Sequence, residues 1–479
     1  VKHIVIIGGG ISGLAAAHRL TELSSQSNQR IKITLLEAGP RPGGVIQTVE
    51  CDGYLVECGP DSFISEKPEA VALAKRLGVE SQLIETNSQF RRSFIVRNGK
   101  LSPIPEGFQL LAPTRLWPFV KSDIFSLPGK IRMAADLLLP RRQRNGVDDE
   151  SLANFVRRRL GREALVRMAQ PMVGGIYTAD PERLSLKATL PRFLEMERDH
   201  RSVILGMIRR GRSTAQNNSG VSGARYSLFL SFDRGMQVLV DALVRRLQEE
   251  GIEIRLNTKV ESINKERSWN IRTASEEVIP ADALCLALPS QIAASLIGST
   301  SVKLEQSLRQ ITYASTATIN LGYRRKDIKH PLDGFGFVVP FAEKRSLMAC
   351  TFSSVKFAGR APETQVLLRA FVGGALQPEM FTLDENETIA RVKADLSELL
   401  GIKNEPLFVK VARWPESMPQ YEVGHTDRIA EIERGVRSLG NFALSGNAYS
   451  GVGIPDCIRS GELAAQELFD TACLKSPIS

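Results

Sequence analysis

No run of about eighteen uncharged apolar residues occurs in this 479-residue sequence, so no membrane-spanning helix is expected. The six cysteines (51, 58, 285, 350, 457 and 473) form no C-x-x-C pair, which excludes the common zinc signatures and a disulfide framework. A reducing cytoplasm is the expected setting, no metal site is expected, and Cys51 and Cys58 read as small core residues on a hairpin. There is no internal repeat. A net charge of +9 invites a nucleic-acid reading. No helix-turn-helix, RRM or zinc-finger pattern accompanies it, so no nucleic-acid partner is expected. An acidic substrate or an anionic membrane surface accounts for the charge more economically. The first strand begins at residue 2, which leads us to expect no signal or transit peptide. What remains is a folded globular chain, 43% hydrophobic and 24% charged, long enough for two or three domains.

The positive signals begin at the first residues. Lys2-His-Ile-Val-Ile-Ile7 reads as a short buried strand, Gly8-Gly-Gly10-Ile11-Ser12-Gly13 as a turn, and Leu14-Ala-Ala-Ala-His-Arg-Leu20 as an apolar helix. That is the context in which a G-x-G-x-x-G motif signals a dinucleotide site. Gly8 permits the turn, Gly10 lets backbone approach a pyrophosphate, and Gly13 lets helix pack on strand. A second strand, Ile31–Leu36, ends at Glu37, 24 residues after Gly13, where a carboxylate can accept ribose hydroxyls. Beyond Glu37-Ala38 comes a second glycine turn, Arg41-Pro-Gly43-Gly44. It resembles the second fingerprint of two-dinucleotide-binding flavoproteins, where Arg41 and Gly43-Gly44 would lie along the FAD ribityl and pyrophosphate. Phe442-Ala-Leu-Ser-Gly446 followed by Val452-Gly453-Ile454 resembles that group's closing strand and helix. The resemblance implies FAD, with further contacts from Gly59, Pro60, Asp61, Ser62, Val260 and Trp414. No histidine or cysteine sits in a recognisable flavin-linking context, so the FAD is expected to be non-covalent.

The fold expected is α/β: a discontinuous, Rossmann-like FAD domain with an inserted β-sheet substrate domain and a helical domain that is a candidate for membrane association. The expected divisions are 1–85, 225–290 and 407–479 for the FAD domain. Residues 86–105 form a substrate-domain hairpin turned at Asn98-Gly99, 106–211 the helical domain, and 291–406 the substrate sheet. Arg212–Ala224, rich in Ser, Asn and Gly, reads as a mobile loop.

Several segments outside the fingerprint identify a narrower group. Pro171-Met-Val-Gly-Gly-Ile-Tyr-Thr-Ala-Asp-Pro-Glu-Arg-Leu-Ser-Leu186, Ser202-Val-Ile-Leu-Gly-Met-Ile208, Gly334-Phe-Gly-Phe-Val-Val-Pro340, Phe371-Val-Gly-Gly374 and Gly451-Val-Gly-Ile-Pro-Asp456 resemble those of oxygen-dependent protoporphyrinogen oxidases. The resemblance runs from first strand to last helix. It implies a six-electron oxidation of a porphyrinogen in three two-electron steps, with O2 as acceptor and H2O2 as product, and it leaves a homodimer as a candidate assembly. It also implies that Phe371 stacks on a pyrrole ring, that Val338 walls the macrocycle, and that Gly174 and Gly175 leave room for it. Plant and animal relatives carry a propionate-pairing arginine just before the aromatic residue of the hairpin strand. Here that position is Ser93, which leaves Arg91, Arg92 or Arg97 to supply the charge, with Arg91 the first choice because it shares a face with Ser93. No obligate general base is evident. Protoporphyrinogen IX is the preferred substrate, since Phe371-Val-Gly-Gly374 and Ser202-Val-Ile-Leu-Gly206 resemble that branch more closely, and coproporphyrinogen III is the alternative, since the closing segment also resembles the bacterial branch that acts on it. A flavin amine or carotenoid oxidoreductase is a third reading.

Residues 108–139 mix Phe108, Leu116, Trp117, Phe119, Val120 and Phe125 with Arg115, Lys121, Lys130 and Arg132. Such a mixture suits shallow insertion into an anionic membrane interface, led by Trp117 and Phe119, and equally suits a buried helix corner.

Overall fold

The computed structural model describes residues 1–142, 149–214 and 229–474. Most of the Arg212–Ala224 stretch, and the end of the Arg141–Arg144 run, lie outside the described residues.

β1 (Lys2–Ile7) and β2 (Ile31–Leu36) are central to a five-stranded parallel sheet. Its order is Glu253–Arg255, β2, β1, Ala283–Leu286, Phe442–Leu444. The strands read as unbroken apolar runs because both faces are covered. Ile4 and Ile6 face a core shared with α1 (Ile11–Ser27) and the closing helix Ile454–Phe469. Val5 and Ile7 face the opposite core. Helices Ser290–Ile297 and Val302–Arg309 lie in that second core, through Ala293, Ala294, Ile297, Leu304 and Leu308. The sheet-domain boundary expected at residue 291 is therefore corrected: this stretch buries its apolar stripes on the nucleotide sheet.

The second large sheet has seven strands, in the order Phe408–Pro419, Tyr313–Arg324, Gln365–Gly373, Ala349–Phe352, Gly336–Val338, Phe94–Arg97, Lys100–Pro103. The first of these corrects the boundary at residue 407, because Phe408–Pro419 pairs along Tyr313–Arg324. The Asn98-Gly99 turn is as expected, with both residues at positive φ (50° and 72°) as a two-residue hairpin of this hand requires. Alternation separates the faces. Ile319, Leu321, Phe337, Cys350, Leu368, Ala370 and Val372 form an outer core with Val392 and Leu396 of helix Glu385–Leu400.

Residues 116–142 and 149–214 are mainly helical, around a core containing Phe108, Phe119, Phe125, Phe155 and Phe193. Arg159 is fully buried here, with Nε donating to Asp136 at 2.6 Å, so the charge that this interior carries is paired. The expectation for Phe119 is corrected: it is buried against Phe108 and Phe125, ring centroids 6.4 and 5.5 Å away, because two residues along a helix turn it about 200° from Trp117, onto the face that meets the core. Trp117, two residues earlier, is 68% exposed. Among the described residues no helix is long and apolar enough to cross a membrane.

Candidate flavin and substrate site

All five strands of the nucleotide sheet run parallel, so their C-terminal ends share one edge, where ligands of such sheets bind. Gly8–Ser12 follows β1 at this edge, Glu37 and Ala38 follow β2, and Gly446 follows Phe442–Leu444. Gly43 N–H donates to the Gly9 carbonyl at 2.7 Å, which docks the second glycine turn onto the first. Gly44 lies beside Gly10. Glu37 accepts from the N–H groups of Gly9 and Gly39, both at 2.7 Å, and is thereby held at the mouth of the edge. The Arg41 guanidinium donates to the carbonyls of Pro42, Ile46 and Gly44, so its described bonds shape the turn. Val260 is buried in the core that also holds Val5, Ile7 and Leu36.

Two glycines of the fingerprint do opposite things. A Cβ on Gly13 would collide with the Gly8 carbonyl, whereas one on Gly10 would meet nothing within 4 Å. Gly13 is needed by the fold; Gly10 borders open space. α1 begins at Gly10 with no side-chain cap, and the closing helix begins at Gly453 with none either. Uncapped first-turn N–H groups, beside open space at Gly10, fit the pyrophosphate and carbonyl oxygens of FAD.

The seven-stranded sheet supplies the other wall. Its register aligns Ile95, Val338, Ala349, Phe371, Thr318 and Ala412 as direct partners across six strands, all on the inner face. One end of this row meets the helical unit: Ile95 and Val338 pack on its core, and Gly175 of helix Gln170–Tyr177 lies against Val338 (3.9 Å from a Cβ position to Cγ1). Gly175 is exposed and Gly174 buried. The other end meets the Cys58–Ser62 loop. The Cys58 carbonyl accepts from Trp414 Nε1 at 2.8 Å and Thr318 Oγ1 at 3.2 Å, and the Gly59 carbonyl accepts from Arg369. Half-buried Phe371 lies midway. The row thus gathers Phe371, Val338 and Gly175 from segments nearly 200 residues apart and abuts the loop containing Gly59, Pro60, Asp61 and Ser62.

The charges at this junction are inside. Burial opposes ionisation of Asp61, but Lys356 (3.1 Å) and Arg369 more than offset it, holding the carboxyl well below its usual range. Glu57, buried nearby and accepting from Thr48 and the Met236 N–H, is pushed up by burial. Arg369 is buried, its guanidinium 4.8 Å from the Phe371 ring centroid, and burial lowers its pKa. Sequence reasoning passed over Arg369 and Thr318; a lone cation inside Val366-Leu-Leu-Arg-Ala-Phe-Val372 was the available signal.

Among the hairpin arginines, Arg92 is committed to Asp333, donating to its carbonyl at 2.6 Å and to its carboxylate. Arg91 is half-buried and precedes the strand. Arg97 lies within it, on the inner face two residues beyond Ile95, with Nε buried and no hydrogen-bond partner among the described residues.

Residues 11–469 match the family of flavin containing amine oxidoreductases. The coproporphyrinogen III oxidase of Bacillus subtilis is 37% identical over 470 residues, covering 97% of both proteins. The chloroplastic protoporphyrinogen oxidase of Nicotiana tabacum is 30% identical over 485 residues, covering 97% of this chain and 85% of that one. A provisionally assigned protoporphyrinogen oxidase from Exiguobacterium sp. 255-15 superposes with a TM-score of 0.84 at 32% identity, covering 97% of this chain and 98% of that one. The glycine edge, the two uncapped helices and these full-length matches agree: the chain belongs to the flavin containing amine oxidoreductase family, in its porphyrinogen-oxidase group, and its cofactor is FAD.

Proposed function

We propose that this protein oxidises a porphyrinogen to the porphyrin with O2 as final acceptor, and that coproporphyrinogen III is its substrate. The observation that carries the reading is the inner-face row, which sets Phe371 between the Val338–Gly175 wall and the loop of Gly59–Ser62. When bound, FAD accepts the two electrons of each step. The chain's own residues bind and orient. Phe371 stacks on a pyrrole ring, Val338 and exposed Gly175 bracket the macrocycle, and the surrounding sheet and helices keep bulk water from the reacting methylene bridge. No described carboxylate on the inner-face row stands as a general base, which is consistent with electron-rich pyrroles driving the reaction.

Substrate choice turns on propionates, of which coproporphyrinogen III carries four. Arg97, on the inner face with a donor unused, is the cation the geometry offers best; Arg91 is the second candidate. Identity of 37% to a coproporphyrinogen III oxidase, against 30% to a protoporphyrinogen oxidase, supports reversing the order of preference drawn from sequence. Turnover with each porphyrinogen, with the product identified by fluorescence, tests this. Faster turnover of coproporphyrinogen III is expected. Faster turnover of protoporphyrinogen IX would reverse the assignment, and no porphyrin from either would end it.

The helical unit also exposes Leu116, Trp117, Val120, Leu127, Ile131 and Leu138, with the Lys121 ammonium 4.9 Å from the Trp117 ring centroid. An apolar patch interleaved with cations supports shallow docking on anionic lipid. Salt-sensitive co-sedimentation with phosphatidylglycerol vesicles, weakened by Trp117→Ser, is the expected result; indifference of the wild type to vesicles removes the membrane from this reading.

A further inference from the structure

Tyr421 lies outside the glycine fingerprint and outside the Phe371 row, yet it touches both the helical unit and the loop that leads into the closing helix. It is 2% exposed, and its ring belongs to the core of the helical unit. Its carbonyl accepts from the Ser185 N–H at 2.8 Å, and the next residue but one, Val423, donates to the Arg183 carbonyl at 2.9 Å. The hydroxyl points the other way. It donates to the Asn447 carbonyl at 2.6 Å and accepts from the Gly451 N–H at 2.8 Å. One oxygen therefore bridges the two ends of the Asn447–Gly451 loop. Gly451 sits at φ 132°, and a Cβ there would collide with Asp456 in the first turn of the closing helix. Position 451 therefore requires glycine. His425 completes the arrangement, stacking on Tyr421 with centroids 4.0 Å apart and planes 13° apart, while its Nε2 reaches the Tyr449 carbonyl at 3.3 Å.

We propose that Tyr421 is a positioning residue for the flavin: its hydroxyl pre-sets the loop that aims Val452, Gly453 and the uncapped N-terminus of the closing helix at the cofactor, and couples that aim to the helical unit. The proposal rests on the reading of Gly446–Ile454 as flavin-facing. Two hydrogen bonds to backbone fix a loop that otherwise orders only when cofactor arrives, and pre-ordering strengthens binding by removing that cost. Losing both bonds should weaken FAD binding by about ten- to thirtyfold. Porphyrinogen contacts should be untouched.

The test is Tyr421→Phe, which keeps the stack on His425 and the ring's packing while removing the hydroxyl. Expected results are faster FAD release from the holoenzyme, an altered visible circular dichroism spectrum, and an unchanged porphyrinogen KM with FAD in excess. His425→Leu removes the stack but keeps the hydroxyl and should weaken FAD less. Wild-type FAD retention and an unchanged flavin spectrum in Tyr421→Phe would overturn the proposal. Should that variant not fold, amide exchange in the wild-type holoenzyme decides: Gly451 N–H is expected to be strongly protected, and fast exchange there overturns the bridge. Gly453→Leu tests the underlying reading separately. If it weakens FAD while Tyr421→Phe does not, only the Tyr421 role fails; if neither does, the loop is not flavin-facing.

Discussion

The two faces of the seven-stranded sheet are made by the same strands and differ in everything else. The outer face is a continuous apolar core under helix Glu385–Leu400. The inner face alternates with it residue by residue and carries Arg97, Thr318, Asn320, Arg369, Phe371 and Trp414, of which Thr318, Arg369 and Trp414 donate to the carbonyls of the Cys58–Ser62 loop. A period of two lets one strand serve stability on one side and chemistry on the other. The glycine fingerprint makes a similar division within a few residues, with Gly13 serving packing and Gly10 serving the ligand.

The division is open to direct attack. Leu368→Ala on the outer face should cost about 2–5 kcal/mol of stability, read by denaturant unfolding, and leave turnover per flavin-containing molecule near wild type. A matching fall in turnover would mean that the faces are not functionally separate. Phe371→Ala, three residues on and facing inward, should do the reverse. Loss of the aromatic face removes about 0.5–1.5 kcal/mol of substrate interaction beyond buried area, kcat falls as orientation is lost, and unfolding shifts less than in Leu368→Ala. Unchanged kinetics would return Phe371 to the structural core. For Arg97→Gln, a tenfold rise in KM for coproporphyrinogen III is expected, about 1.4 kcal/mol, with a smaller rise for protoporphyrinogen IX. Equal effects on both would separate Arg97 from substrate choice.

The remaining effect lies off the sheet. Burial pushes the His425 imidazole down to about 4, against about 6.5 in an unfolded chain. Between these values the unfolded chain binds the extra proton and the folded one does not, so stability falls as pH drops from about 6.5 towards 4. The slope from this one group is at most about 1.4 kcal/mol per pH unit. His425→Phe keeps a ring against Tyr421 and should flatten the acid side of a Tm-against-pH curve. An unchanged acid limb in the variant would show that another group governs it.

β1, β2 and the Asn98-Gly99 hairpin were legible in the sequence because each is specified by neighbours: an apolar run, a glycine turn, a two-residue loop. The row from Ile95 to Ala412 was not. Val338 and Phe371 could be named singly by resemblance, but the register that makes the six neighbours is a property of strands hundreds of residues apart. Arg91 and Arg97 share a parity in the sequence; only pairing with Gly336–Val338 shows which face that parity addresses. Leu116–Lys121 is too short for a hydrophobic period, and so Trp117 and Phe119 looked alike although one faces solvent and the other the core. Tyr421 gave no local signal, since its partners are backbone groups at Asn447 and Gly451.

The connectivity of the parallel sheet also governs when the protein can become an enzyme during its own synthesis. β1 and β2 are made first, but the edge strand Phe442–Leu444 comes from the far end of the chain, and the closing helix packs so tightly on α1 that a Cβ on Gly461 would strike the Ser12 carbonyl. At about 5–20 residues per second a ribosome needs roughly 20–80 s to cover the intervening four hundred residues. Through that interval α1 has the sheet and helix Gln237–Glu249 to pack on but lacks the closing helix, and the glycine edge lacks the strand and helix N-terminus that close it. Tight flavin binding is therefore expected only once Phe442–Phe469 has been made, and a chain truncated before Phe442 should emerge as an aggregation-prone apoprotein whatever the integrity of its glycine fingerprint.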